Sequence, residues 1–535
     1  MFPQNTRQKS VMQHDFSSVP HADIQRSRFN RSHGYKTTFD SGLLIPFFVD
    51  EALPGDTFNL KVSSVARLAT PLLPFMDNLF IDFHFFFVPN RLIWDNWQRF
   101  MGERDPNPDS STDFTVPTIT GTAPGFAAGE LADYFGIPPL IPDVKVNSLH
   151  FRAYNLIWNE WFRDENLQNS VTVDRDDGPD AIADYVLLKR GKRHDYFTSC
   201  LPWPQKGDGV ELPLGTSAPI ATDGALGSTN ADISVFSTVA DDYIKLQNNQ
   251  TDNDIHLHSS QGTEGDKLFV DLSSATSATI NSLRQAFQLQ KLLERDARGG
   301  TRYTEIIYAH FKVDSPDSRL QRPEYLGGGS SPVTVTPIPQ TSETLVGTDQ
   351  GHLTAIGYHS QSGVGFTKSF VEHGVIIGLI SCRADLTYQQ GLNRMWSRQT
   401  KYDFYWPALA HLGEQPVLNQ EIWIQDPATD TGGTGTPDNL RVFGYQERFA
   451  EYRYYPSLIT GVLRSDHAQS LDAWHLSQDF LTLPALNSDF IEENPPVARV
   501  VAVTDEPEFV FDSYINLITT RPMPVRSVPG LIDHF

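Results

Sequence analysis

Asp174, Asp176 and Asp177, closed by Gly178, place three carboxylates within four positions, the ligand type that hard divalent cations select. The glycine is fifth in the run, not sixth, and no glutamate stands twelfth, so a solvated turn fits the spacing better than a calcium loop. His256-Leu257-His258 would set two imidazoles on one face of a strand, as two zinc ligands require. No cysteine or further histidine lies nearby in sequence to complete that site. The run Gly327-Gly328-Gly329-Ser330-Ser331-Pro332 has no Gly-Lys-Ser/Thr ending and opens no helix, so it is expected as a loop and not as a phosphate cradle. A Gly-x-Ser-x-Gly elbow and a His-Glu-x-x-His helix are both missing.

Rings and cations offer a different chemistry. Trp94, Trp97 and Phe100 stand near Arg91 and Arg99, and Tyr452, Tyr454 and Tyr455 near Arg448 and Arg453. Such groups can stack on exposed bases, or they can fill a core or a subunit interface. Arg7, Lys9, Arg26, Arg28, Arg31 and Lys36 make the first 36 residues basic, against only Asp15 and Asp23. Residues 207–280 invert that balance, with eleven acids against Lys245 and Lys267 in a stretch rich in Ser, Thr, Asn and Gly. A basic arm at one end and a solvated acidic insertion elsewhere suit a shell whose inside meets nucleic acid and whose outside meets water. An ordinary mixed surface fits the charge alone equally well.

These residues must be held by many short elements. The 535 residues contain 36 prolines and 37 glycines spread along nearly the whole length, which favours short strands over long helices. Phe58–Ser63 alternates apolar and polar residues, and Leu79–Val88 is apolar on one whole face, so both are expected strands. Val375–Ile380, Leu440–Tyr445, Val497–Val503 and Phe509–Phe511 are further strand candidates. Ser148 can cap a helix carrying Leu149, Ala153, Leu156, Ile157 and Trp161 toward the core, with Arg152, Asn155 and Asn159 on the opposite side. A second helix spans about Asn281–Ala297, stopped by Gly299-Gly300. Thr429–Pro437 reads as a second loop.

The formal net charge of −23 argues against a chain that sleeves nucleic acid with its whole surface. Two cysteines, Cys200 and Cys382, are too few for a disulfide framework and are expected as buried thiols. The polar, basic start and the lack of a long apolar run point to synthesis and folding in a cytosol.

Several long strings in the chain resemble the major capsid proteins of gokushoviruses, a Microviridae branch infecting bacteria. They are Phe39–Pro46, Leu53–Thr57, Phe85–Leu92, Trp158–Asp164, Tyr196–Gly207, Glu294–Tyr303, Arg322–Gly328 and Pro529–Phe535, with breaks at about 207–272 and 327–367. The resemblance implies a mainly β fold, an eight-stranded antiparallel jelly roll of the viral capsid type with long inserted loops and a few helices. It implies sixty copies in a T=1 shell around a circular single-stranded DNA genome, assembled in the bacterial host cytoplasm, and no enzymatic activity or cofactor. In that frame residues 1–45 are a basic arm on the inner surface, meeting DNA, an internal partner or neighbouring subunits. Residues 46–535 form one jelly-roll domain with insertions. Residues 207–272 form an acidic protrusion at the threefold axes, expected to meet a receptor on the bacterial surface, and 327–367 a variable loop rich in Gly, Ser and Thr. Further partners implied are a small basic internal DNA-binding protein, a DNA pilot protein and, during assembly, a scaffolding protein. A carbohydrate-binding or hydrolytic β-sandwich is the competing class, since lectins also use jelly rolls.

Overall fold

Strict alternation builds the central strands. In a computed structural model, Thr57–Leu68 buries Phe58, Leu60, Val62, Ser64, Ala66 and Leu68 and exposes every residue between them. That period of two is what a pleated strand covered on one face produces. The structure describes residues 25–104, 111–210, 280–342, 344 and 350–526, with the backbone alone of five strands between 220 and 270. Among these residues no helix is long and apolar enough to cross a membrane.

Nine strands make the main antiparallel sheet: β1 (Ser27–Asn30), β2 (His33–Phe39), β3 (Ile45–Ala52), β4 (Thr57–Leu68), β5 (Leu79–Pro89), β6 (Glu324–Pro339), β7 (Leu353–Ser369), β8 (Gly374–Ala384) and β9 (Phe509–Arg521). Their order is β1-β9-β4-β7-β6-β5-β8-β3, with β2 also paired to β9. The first part of β6 pairs with β5 through Val333 and the rest with β7 from Thr334, so β6 joins two halves of the sheet. Those halves fold over one another. Phe47 on β3 and Phe511 on β9 come from opposite ends of the order, yet their rings lie 6.2 Å apart, and Phe83 on β5 meets Phe511 at 6.3 Å. The result is a curled antiparallel sheet of jelly-roll character, with the aromatic core enclosed between its halves.

Both faces of β8 are buried, which distinguishes it from β4. Ile376 and Ile380 face the inner core, while Val375, Ile377 and Leu379 join Phe86 and Val88 of β5 under α1 (Leu149–Ile157). The helix therefore lies on the sheet as expected, but the side read as solvent-facing is also covered: Arg152 and Asn155 are fully buried. Ser148 supplies no side-chain cap; the Asn147 side chain accepts the Leu149 N–H instead, at 2.9 Å. A π-helical turn, Trp158–Phe162, continues the helix.

Three further expectations are corrected. The glycine run and most of 327–367 are strand, not loop, because Gly328 lies so close to β5 that a Cβ there would sit 2.2 Å from the Phe83 carbonyl oxygen. Val497–Val503 is not a strand. Val497, Val500 and Val501 are buried at three- and four-residue spacing in a short 3-10 turn and the residues after it, behind Pro495-Pro496. The basic segment expected as an arm to residue 45 is in the sheet from Ser27 onward, paired along β9. Leu440–Tyr445 is shifted to a strand at Val442–Glu447, and Phe509–Phe511 is only the start of β9. Cys200 and Cys382 are both buried thiols.

The chain forms two compact units, residues 205–299 and the remainder. In the smaller one, Ile233–Ser237, Asp242–Asn248 and Ile255–Gln261 form a three-stranded antiparallel sheet, and Ile220–Thr222 pairs with Leu268–Val270. The expected second helix is present there as α2 (Ile280–Gly299), ending at Gly300 with a φ of +101°.

Candidate assembly surface and the charge networks beneath it

Of the aspartates weighed as a cation site, Asp176 joins Asp180 in holding an arginine. Fully buried Arg152 donates from Nε to Asp180 Oδ2 at 2.7 Å and from Nη1 to the Ile93 and Asp176 carbonyl oxygens. Asp177 accepts from Trp94 Nε1 at 2.8 Å and from the Asn96 side chain at 2.9 Å. Among the described residues no three His, Cys, Asp or Glu side chains are grouped to hold a metal. Burial would raise the Asp180 pKa, but hydrogen bonds from Arg152 and Tyr185 hold it below the usual carboxylate range. Asp82 on β5 behaves alike. Burial pushes it up, while the Ser330 hydroxyl and the Arg190 and Arg383 guanidiniums bring it below its ordinary value. Such pairs fix where loops cross the sheet, because removing one partner strands the other charge.

His256 and His258 lie on the strand Ile255–Gln261, opposite Gln247 and Lys245. Of the six basic residues at the start, Arg7 and Lys9 lie outside the described residues. Arg26 donates to the Gly55 carbonyl oxygen at 2.5 Å, Arg31 forks onto Asp50 at 2.5 and 3.1 Å, and Lys36 pairs with Asp512 at 3.1 Å. Arg28 is exposed on β1, with no ion pair among the described residues.

The two aromatic clusters part company. Trp94 is wholly buried and packs on Phe100 with ring centres 5.1 Å apart, so the first cluster is core. The second is a surface. Tyr452, Tyr454 and Tyr455 are half or more exposed, and the structure adds Tyr402, Phe404, Tyr405 and Trp406, which sequence reading missed. Tyr405 meets Phe449 at 5.2 Å and Tyr452 at 6.3 Å; Arg398 lies over the Tyr452 ring at 4.2 Å, and Arg448 donates to the Tyr402 carbonyl oxygen at 3.2 Å. The string Tyr402-Asp403-Phe404-Tyr405-Trp406 was a legible signal, since four rings in five residues exceed what a short turn can bury.

Contiguous exposed rings interleaved with arginines are the composition of protein interfaces, where large rigid side chains are desolvated by a partner. A jelly-roll sheet whose own core is closed, with such a surface left in water, is the build of a structural assembly subunit. Comparison with known proteins agrees. Residues 17–531 match the family model described as capsid protein (F protein), and the chain belongs to that family of phage capsid proteins. It is 48% identical to the capsid protein VP1 of Bdellovibrio phage phiMH2K, over 98% of both chains. The capsid protein VP1 of Chlamydia phage 1 is 45% identical, over 98% of both, and that of Spiroplasma virus 4 is 37% identical, over 97% of both. The chain is thus a major capsid protein of gokushovirus type, a virion component that assembles in many copies.

Proposed function

We propose that sixty copies assemble into a T=1 icosahedral shell around a circular single-stranded DNA genome, in the cytoplasm of a bacterial host. The observation that carries this reading is the surface formed by the rings of Tyr402, Phe404, Tyr405, Trp406 and Tyr452, which the subunit's own fold leaves uncovered beside Arg398 and Arg448. A net charge of −23 on every copy cannot neutralise packaged phosphate, so a small basic internal DNA-binding protein shares that task. Arg28 is the described member of the basic segment that meets DNA or that partner, with Arg7 and Lys9, outside the described residues, joining it; Arg26, Arg31 and Lys36 already have acceptors on their own chain. A DNA pilot protein and, during assembly, a scaffolding protein complete the set of virion partners. The acidic segment 207–272 forms the protrusion at the threefold axes and meets the host receptor, consistent with its eleven acids and polar composition.

Electron cryo-microscopy of the chain expressed alone, and of the chain with its phage's other proteins, tests the shell. Closed particles of about sixty subunits in either preparation are expected. Particles of another symmetry number, or none in both, would overturn the T=1 reading. Deleting 207–272 is expected to spare assembly and abolish host attachment; unchanged attachment removes the receptor role.

A further inference from the structure

Beside the sheet a cavity of about 390 Å³ opens between β5, the π-helical turn and the segment 190–194. Its size falls within the roughly 300–1,000 Å³ of small-molecule sites. One side is a basket of rings: Phe86 meets Trp161 at 5.5 Å and Tyr325 at 5.5 Å, Trp161 and Tyr325 lie 5.7 Å apart, and His84 meets Phe162 at 5.4 Å. π-helical turns recur where a helix must aim side chains into a site, and this one places Trp161 and Phe162 in the cavity wall.

Cations form the rest. Arg163, Arg190, Lys192 and Arg302 line the cavity, against Asp164 as the single acid. Asp164 already accepts the backbone N–H groups of Asn166 and Leu167. Asp82 is one carboxylate shared by Arg190 and Arg383, and the buried Glu493 also acts on both arginines through its charge. Glu165 pairs with both Arg163 and Arg302, and Glu305 with Arg302, while Glu493 and Asp195 act on Lys192 through their charge. Lys192 has two acceptors, the Phe490 carbonyl oxygen at 2.6 Å and Gln478 at 3.1 Å, for its three N–H donors. Arg190 Nε and His84 Nε2 are buried without a hydrogen-bond partner. Burial and the Arg190 charge hold His84 neutral, with its pKa brought down to about 4.

A site that sets unpartnered donors of Arg190 and His84 beside the partly exposed Tyr325 ring and the edge of Trp161, whose face carries Arg322, suits an anion that carries a flat ring. We propose that this cavity receives one nucleotide of a single-stranded nucleic acid, its base against Trp161 and Tyr325 and its phosphate paired with Arg190 and Lys192. An acidic peptide would use the cations but leave the rings idle. A duplex cannot enter, because its bases are stacked and paired. The inference rests on the reading that the shell encloses single-stranded DNA, and it assigns that reading a specific contact.

The test uses the full chain and an oligodeoxynucleotide carrying 5-bromodeoxyuridine, irradiated and mapped by mass spectrometry. Adducts are expected on Trp161, Tyr325 or His84, suppressed by excess dTMP and not by equal inorganic phosphate or duplex. Tyr325→Ala should lose the adduct and weaken oligonucleotide binding roughly ten-fold. Lys192→Met should lower the salt dependence of binding by about 0.7 in log–log slope. Melting curves of both variants separate lost binding from lost folding. Oligonucleotide bound with adducts only elsewhere would overturn this site while leaving the single-stranded DNA reading standing. No binding of any single strand would overturn both. Retention of dTMP or an acidic peptide with the oligonucleotide excluded would overturn the strand assignment.

Discussion

Arg152 and Arg398 are both paired to a carboxylate, but in regions that differ in what covers them. Arg152 lies beneath α1 with its fork filled by Asp180 and two backbone carbonyls, and it is inaccessible to solvent. Arg398, itself only 10% exposed, pairs with Glu451 at 3.2 Å and lies over Tyr452, a ring half open to water beside the equally open Tyr405. The first region is finished within one chain. The second leaves rings in water that, on the assembly proposed above, another subunit covers. A subunit must be stable before it meets its neighbours and incomplete enough to need them, and here those requirements fall on separate parts of the surface.

The largest expected effect breaks the finished region. Arg152→Met leaves Asp180 buried and unpaired, and should cost about 3–5 kcal/mol in urea unfolding of the subunit. A loss below about 1 kcal/mol would show that water reaches the site and that the region is not closed.

Next comes acid. The Asp82 and Asp180 carboxyls sit below their ordinary pKa in the folded chain, so the unfolded chain binds protons first as pH falls. Their contribution is fully present above the ordinary carboxylate value of about 4 and is lost as pH drops through the depressed values. Melting temperature against pH should fall below about pH 4, and Asp180→Asn should flatten part of that fall. Lys192 works at the other end. Burial brings its pKa down to about 8 from 10.5, so the unfolded chain holds the extra proton between those values and this group's contribution rises with pH across them. Lys192→Met should remove that rise.

The unfinished region should respond inversely. Trp406→Ser and Tyr405→Ser are expected to change subunit stability by no more than about 0.5 kcal/mol. In assembled particles the same changes should cost about 2 kcal/mol or more per contact, seen as a raised concentration threshold for shells in sedimentation. Equal loss in both measurements would erase the contrast. Smallest is Arg28→Gln on β1, expected to leave folding and shells intact and to reduce the salt slope of DNA binding by about 0.7.

The sequence by itself determined the elements whose patterning is local. Phe58–Ser63 and Leu79–Val88 alternate so regularly that only a strand satisfies them, and both are strands at those places. Long strings distributed from Phe39 to the last residue carried the family, and with it the capsid role. What lay beyond reach was set by non-local neighbours. Gly327–Gly329 has loop composition, yet β5 and β7 lie close enough on either side that glycine is the residue their backbones admit. Arg152 and Asn155 have surface composition, yet the 172–184 segment folds over them and supplies their acceptors. Rings at Trp94 and Tyr452 look alike in sequence; only the tertiary structure decided that one is core and the other is surface, because burial depends on what the rest of the chain brings alongside.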